Sequence, residues 1–342
     1  MNKKKWASYT AILMLSLGLA ACSNDSEEVK EATAGTEQTE TVKEQEVQNV
    51  VEEHVVKITE TDVTFTDVRG QEITIEKNPE RVVSVFNSFL DIWMASGGEV
   101  IGTIEPSGDK PVPGTENAEI VGTLGAVSLE KVLSLEPDVV IVNGNSAHHM
   151  ELVPSLEQNG IKVVALDFVY KADYFKLARV YTALTGREDL YEKTVVEVEQ
   201  NINQIIADSP QDKNYKVLLI MASGKSITAR GTDSYVGEML KDLHTTNIAD
   251  VSNNVLSETS FSMEKIIEED PDFIFVQTTG SDLDVVYDKL KQDVESNPAW
   301  ASLQAVQNDR YIFLPKDIYM YKANARYAEA YEGLAQHLYG NE

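Results

Sequence analysis

A stretch of sixteen residues occurs twice in this chain, and the repeat constrains the architecture more than any other feature. Residues 127–142 align without gaps to residues 261–276. Ser128 matches Ser262, Glu130 matches Glu264, Lys131 matches Lys265, Pro137 matches Pro271, Asp138 matches Asp272 and Val142 matches Val276. Apolar positions correspond except at Leu135, which matches Glu269. Each copy reads as a short amphipathic helix with a Ser N-cap, a Pro just past its end, and then a strand. The strand at 138–142 is an unbroken β-branched run, which marks a strand covered on both faces.

Helix and strand alternate around both copies. Before and within the first half, 72–76 alternates apolar and polar residues, 81–85 and 100–103 read as strands, and 89–95 as a helix ended by Gly97-Gly98. Helices at 129–135 and 151–158 alternate with strands at 138–142 and 161–166. In the second half, strands at 216–221, 273–276 and 311–314 alternate with helices at 236–243, 263–268 and 326–338. Such alternation predicts parallel α/β layers. Between the halves, residues 174–206 turn helical for over thirty residues, broken only near Gly186-Arg187. Residues 190–206 contain no Gly or Pro, and a helix of that length runs ~25 Å. The expected class is therefore α/β, with two Rossmann-like lobes joined by a single long rigid helix and a ligand cleft between them. The boundaries expected are 57–170 for the first lobe, 171–208 for the bridging helix and 209–342 for the second lobe.

The N-terminal region reads differently. Lys3, Lys4 and Lys5 precede an apolar stretch at 11–21. That is too short to span a hydrocarbon core, which needs ~20 residues, and it fits the hydrophobic part of a signal peptide at 1–21. It ends Leu19-Ala20-Ala21-Cys22, which resembles the bacterial lipobox, in which the Cys is acylated and becomes the mature N-terminus. Cys22 is the only cysteine, and acylation removes the liability of an odd exported thiol. Residues 23–53 are polar, acidic and free of Pro and aromatics, so they bury too little to fold. Segment 22–56 is expected to be a disordered acidic tether. The location implied is the outer face of a cell membrane, lipid-anchored, in a bacterium of Gram-positive type.

Composition excludes several classes. A net charge of −27 argues against nucleic-acid binding, which needs clustered Lys and Arg. No Gly-x-Ser-x-Gly, P-loop or His-Glu-x-x-His motif is present, so no enzyme class is indicated. The five histidines (His54, His148, His149, His244, His337) are too scattered for a bare Zn or Mn site. Hydrophobic content of 42% suffices for lobes stabilised by apolar burial, and a monomer is expected.

Several motifs together resemble the iron-complex and vitamin B12 class of ABC-importer solute-binding proteins, over roughly residues 60–340. They are Asn78-Pro79-Glu80-Arg81-Val82-Val83-Ser84, the two Glu-Lys…Pro-Asp units, Asn297-Pro298-Ala299-Trp300, and Asn324-Ala325-Arg326-Tyr327-Ala328-Glu329-Ala330. The resemblance implies capture of an iron complex, with a ferric siderophore favoured and haem or cobalamin as alternatives. It implies no cofactor of the protein's own, and an ABC permease and ATPase as partners. It also implies that one Glu per lobe docks onto permease arginines; the matching positions are Glu130 and Glu264. Both also sit in a first helical turn, where the macrodipole alone favours a carboxylate.

Ligands of open α/β sheets bind beyond the carboxyl ends of the strands. That rule selects Phe86, Asn87, Ser88, Asn143, Asn145, His148, His149, Phe168 and Tyr170 in the first lobe. In the second it selects Lys225, Arg230, Thr278, Thr279, Tyr319, Tyr321 and Arg326. The bases Lys225, Arg230, Lys316, Lys322 and Arg326 gather in the second-lobe loops, where Arg suits the oxygens of an anionic ferric complex. For haem, His148, His149 and Tyr321 are candidate axial ligands, with Met150, Tyr170 and Met221 behind them.

Overall fold

The computed structural model describes residues 56–106, 111–251, 262–280 and 282–340. The leader, Cys22, the tether up to residue 55 and Phe261 of the repeat lie outside the described residues. All described residues belong to one compact unit, Val47–Glu342.

The first lobe opens with an antiparallel sheet of β1 (Val56–Ile58), β2 (Asp62–Thr66) and β3 (Glu72–Glu76). Val56, expected at the end of the tether, is thus already the first residue of a strand. A parallel sheet follows in the order β10-β9-β4-β5-β6. Its strands are β4 (Val82–Ser84), β5 (Gly102–Thr103), β6 (Glu119–Ile120), β9 (Val139–Asn143) and β10 (Lys162–Leu166). A small hairpin, β7 (Gly122–Thr123) and β8 (Ala126–Val127), lies between β6 and β9 in the chain. The helices used below are α1 (Asn87–Ala95), α2 (Leu129–Ser134) and α3 (Ala147–Gln158). Val139 to Val142 are all buried, as a strand covered on both faces requires.

The second lobe has a mixed sheet in the order β12-β11-β14-β15, with β13 also pairing β11. Its strands are β11 (Lys216–Ala222), β12 (Ile227–Arg230), β13 (Thr246–Asn247), β14 (Phe273–Thr278) and β15 (Tyr311–Phe313). Residues 223–230, read from sequence as one loop, instead turn back so that β12 pairs antiparallel to β11. The turn is closed locally: the Ser223 hydroxyl accepts the N–H groups of Lys225 (3.2 Å) and Ser226 (2.9 Å).

The link between lobes is helical, in two pieces rather than one. Helix α4 (Lys171–Leu184) ends at Gly186, whose φ of +67° breaks the right-handed course. The chain then stays helical from Glu188 through a π-turn at Glu192–Val196 into α5 (Glu197–Asp208). Stiffness comes from packing. One buried cluster takes in Val63, Ile141 and Leu166 of the first lobe and Tyr174 and Tyr181 of α4. It continues through Val195 and Ile202 of the bridge to Leu219, Phe275, Tyr327 and Leu334 of the second lobe.

The repeat is a structural duplication that extends to the hydrogen bonds after each helix, although the Ser128 hydroxyl caps its helix by accepting the Lys131 N–H (3.3 Å) and the Ser262 side chain makes no cap bond. In both copies the residue before the Pro, Glu136 or Asp270, lies in the left-handed region. In both, the next Asp caps the start of a neighbouring strand: Asp138 accepts the N–H groups of Glu80 (3.0 Å) and Arg81 (2.9 Å), and Asp272 accepts that of Lys216 (2.8 Å). The base at the head of that strand returns to the helix C-terminus, where carbonyls lack intrahelical donors. Arg81 donates to Glu136 O (2.9 Å) and to Leu135 O, and Lys216 Nζ donates to Glu269 O (3.2 Å). Asp138→Ala and Asp272→Ala are each expected to lower unfolding stability by about 1–2 kcal/mol, from hydrogen bonds lost by backbone donors. Because the sites sit in different lobes, the double variant should show the sum. Urea unfolding midpoints check this.

Candidate functional site

The carboxyl ends of the first sheet present the expected groups. After β4, Phe86 is the extended N-cap of α1, its carbonyl accepting from Phe89 (3.1 Å) and Leu90 (3.0 Å). Asn87 and Ser88 form the first turn of α1, and Asn87 Nδ2 donates to Glu105 O at 3.3 Å. After β9, the Asn143 side chain accepts the Asn145 N–H at 2.9 Å, leaving Asn145 exposed. After β10, Phe168 is buried and Tyr170 exposed; the Tyr170 hydroxyl reaches Asp233 O of the second lobe at 3.5 Å.

His149 does not face a ligand. The sequence places it in a loop, but Ser146 caps a helix four residues longer than expected, and His149 falls in its first turn. It is fully buried. Its Nδ1 accepts the Asn143 N–H (3.2 Å), which leaves Nε2–H to donate to Leu124 O (3.1 Å). Both ring nitrogens are thereby engaged in tying β9 to the β7–β8 turn, and burial holds the imidazole below its ordinary pKa. His148, on the same turn, is exposed, with Glu151 at 4.0 Å.

In the second lobe, Thr278 and Thr279 lie at the end of β14, Thr278 buried and the Thr279 N–H bonded to Ala222 O (2.9 Å). Lys225 is exposed at the tip of the β11–β12 turn. Lys316 lies over the Tyr321 ring, 5.1 Å from its centre, and donates to Gly280 O. Three other residues are placed differently from expectation. Arg230 ends β12 opposite Leu219, partway along β11 and away from the carboxyl end of β11 at Ala222. Tyr319 is buried, its hydroxyl donating to Ala330 O (2.9 Å), so it packs the lobe and does not stack on a ligand. Arg326 is held by two carboxylates, Glu329 (2.7 Å) and Asp317 (3.0 Å), which raise its pKa further.

What the sequence did not single out is the seam between the lobes. Helix α6 (Tyr235–Asp242) and helix α8 (Tyr327–Tyr339) meet the start of α4 there. The Lys171 N–H donates to Glu238 (2.8 Å), its ammonium pairs with Asp242, and the Tyr331 hydroxyl donates to Asp242 (2.6 Å). Asn324 Nδ2 donates to Asp91 of α1. Lys322 Nζ donates to Val169 O (3.2 Å) and sits over the rings of Tyr235 (4.2 Å) and Phe168 (4.7 Å). Its backbone is left-handed, φ +68°. Burial pushes the Lys322 ammonium down to about 8, against the pull of Asp173, Asp167 and Glu238. These residues are distant in sequence and carry no local signal beyond the cationic character of the loop.

Glu130 and Glu264 occupy equivalent first-turn positions of α2 and of α7 (Met263–Glu269). Both are exposed, and neither forms an ion pair with a described residue. Among the described residues no helix is long and apolar enough to cross a membrane.

The chain belongs to the family described as periplasmic binding protein, whose profile matches residues 82–318. Members are non-catalytic solute-binding proteins. Among curated relatives, it is 25% identical to an uncharacterized ABC transporter substrate-binding lipoprotein, YvrC, of Bacillus subtilis, over 98% of each chain. It is 27% identical to the Fe(3+)-citrate-binding protein YfmC of the same organism, over 71% of this chain and 76% of that one. Among solved structures it resembles the haem complex of IsdE from S. aureus, with a TM-score of 0.63 and 20% identity, covering 76% of this chain and 98% of that one. The last comparison shows the two-lobed fold.

His149 gives a pH test. Its folded pKa lies below the ordinary ~6.5. The unfolded chain therefore takes up a proton first on acidification, and stability is full above ~6.5 and falls as pH drops below it. His149→Ala should cost about 2–3 kcal/mol at pH 7, from two stranded backbone groups, and should make the decline between pH 6.5 and 5 shallower. His337, also depressed by burial, keeps part of the slope. Thermal midpoints across this range check both.

Proposed function

We propose that this protein is the lipid-anchored receptor of an ABC importer, capturing a ferric complex between its lobes and delivering it to a membrane permease. One observation carries the delivery half: two exposed carboxylates, Glu130 and Glu264, project from equivalent turns of a duplicated unit, one per lobe. A helix N-terminus alone rationalises each Glu, but it does not call for the same exposed, unpaired acid on both lobes. Two matched carboxylates let a permease with paired arginines read both lobes at once, through charge-assisted hydrogen bonds.

The capture half is supported by the relative named for ferric citrate and by the Asn and aromatic groups at the strand ends of the first lobe. A ferric siderophore or ferric carboxylate is favoured over haem ligated through His149, which has no ring nitrogen left for iron. Acylation at Cys22 holds the receptor near its permease, where tethering raises its effective concentration.

Glu130→Ala with Glu264→Ala is expected to leave ligand-induced thermal stabilisation unchanged and to abolish uptake in cells. Transport at the parent rate in the double variant rejects the docking assignment. In the same assay, ferric complex at about 100 times its Kd should add ~2.7 kcal/mol of apparent stability. Cys22→Ser should release the protein into the medium with its affinity intact, as fractionation would show.

A further inference from the structure

Helix α1 touches both lobes. Its head, at the carboxyl end of the first sheet, carries Phe86 as N-cap and Asn87 and Ser88 in the first turn. Its far end is fixed to helix α4: the Thr185 hydroxyl donates to Ser96 O (2.6 Å), and the Trp93 ring meets Tyr181 edge-on at 5.2 Å. Between head and tail, Asp91 accepts a hydrogen bond from the Asn324 amide of the second lobe, 233 positions away in the chain. The seam contacts of Val169 and Tyr170 lie at the entrance to α4, next to the covalent link. The Asp91–Asn324 bond joins the lobes through a separate element.

Asn324 is held at a cost. It is 3% exposed, and it opens a 3-10 turn, Asn324–Arg326, with φ +51°. That left-handed region is disfavoured for any residue with a Cβ. Its side-chain Oδ1 is buried and accepts no hydrogen bond from a described residue. A buried amide satisfied on one side only destabilises the fold. Lys322, two residues earlier, is left-handed as well. Ala323 between them is fastened by its N–H to the Tyr235 hydroxyl at 2.7 Å. Strained residues persist where their surroundings over-determine them, and for Asn324 those surroundings include the opposite lobe.

We propose that the Asp91–Asn324 hydrogen bond is a latch between the lobes, which fixes α1 against the second lobe and limits how far the lobes part. The bond joins an amide to a carboxylate, and charge assistance makes it stronger than a neutral one. On the other side of the balance stand the left-handed backbone and the unsatisfied Oδ1 of Asn324, both of which are relieved when the latch opens. The gain and the cost offset each other, so the latched and unlatched arrangements lie close in free energy. That closeness is the condition under which a ligand or partner can shift a protein between two arrangements. Opening the latch also changes the separation of Glu130 and Glu264, one on each lobe. This last consequence rests on the importer reading above; the latch itself does not.

The test exchanges the two side chains and needs no ligand. It uses the full-length mature chain with Cys22→Ser, spin-labelled at Gln158→Cys in the first lobe and Gln292→Cys in the second, both exposed helical positions. The parent, Asn324→Asp and the exchange variant (Asp91→Asn with Asn324→Asp) are compared by pulsed electron spin resonance, with thermal midpoints as a check on folding. Asn324→Asp sets two carboxylates face to face, and an Asp side chain tolerates the left-handed backbone, so the bond is lost with no added backbone strain. The exchange variant restores one amide donor and one carboxylate with their places reversed. Expected are a narrow inter-lobe distance distribution in the parent, a broader one with a longer mean in Asn324→Asp, and a return to the parent's in the exchange variant. A parent-like distribution in folded Asn324→Asp overturns the proposal. So does an exchange variant as broad as Asn324→Asp, because the effect is then not that of the bond. If Asn324→Asp does not fold, Asn324→Gly replaces it, since Gly suits a positive φ; broadening supports the latch and a parent-like distribution overturns it. No outcome touches the question of which solute the cleft takes, so the latch and the importer reading fail separately.

Discussion

Two aspartates, Asp138 and Asp272, hold the arrangement on which the lobes depend. Each follows a Pro that stops a helix, and each accepts backbone N–H from the head of the adjacent strand, two groups at Asp138 and one at Asp272. The base at that strand head closes the loop by donating to the helix carbonyls. Helix end, strand start and neighbouring strand are thus locked at one joint per lobe. The joint sets the register of β4 against β9 and of β11 against β14. It also fixes the helix on which Glu130 or Glu264 stands. Exposed acids can report lobe position only if their helices cannot tilt, and the joint supplies that rigidity.

Between the joints the lobes share one core. The aromatic rings of Phe168, Tyr174, Tyr235, Tyr327 and Tyr331 pack against one another across the seam. Interiors packed in this way deform in discrete steps and not continuously. The two lobes are therefore coupled through one packed core. Lys322, Asn324 and Lys171 add polar contacts on the same seam.

Most of the architecture was legible because it is written in local patterns. The Ser caps, the Pro-Asp stops and the β-branched runs identified both copies of the repeat and their strands to within a residue or two. The break at Gly186 was visible as well, though not that it would divide the bridge in two. Three departures have physical causes. β12 is a four-residue strand after a serine turn and has no periodicity of its own. His149 lies in a helix because Ser146 caps a first turn that the sequence pattern does not mark. Arg326 is drawn to Asp317 and Glu329, which stand within reach of it. Lys322 contacts Phe168, Val169 and Tyr235, all more than eighty residues earlier in the chain, so no window of sequence contains these contacts.

The central claim is that the cleft is a receptor for a small ferric complex. Native mass spectrometry, with an absorption spectrum of the same sample, tests it most directly on protein purified from iron-limited cells. A bound species that carries one ferric ion with an anionic organic chelator, and no Soret band, is the predicted result. An iron-free solute, or protoporphyrin with its Soret absorption, would contradict the account.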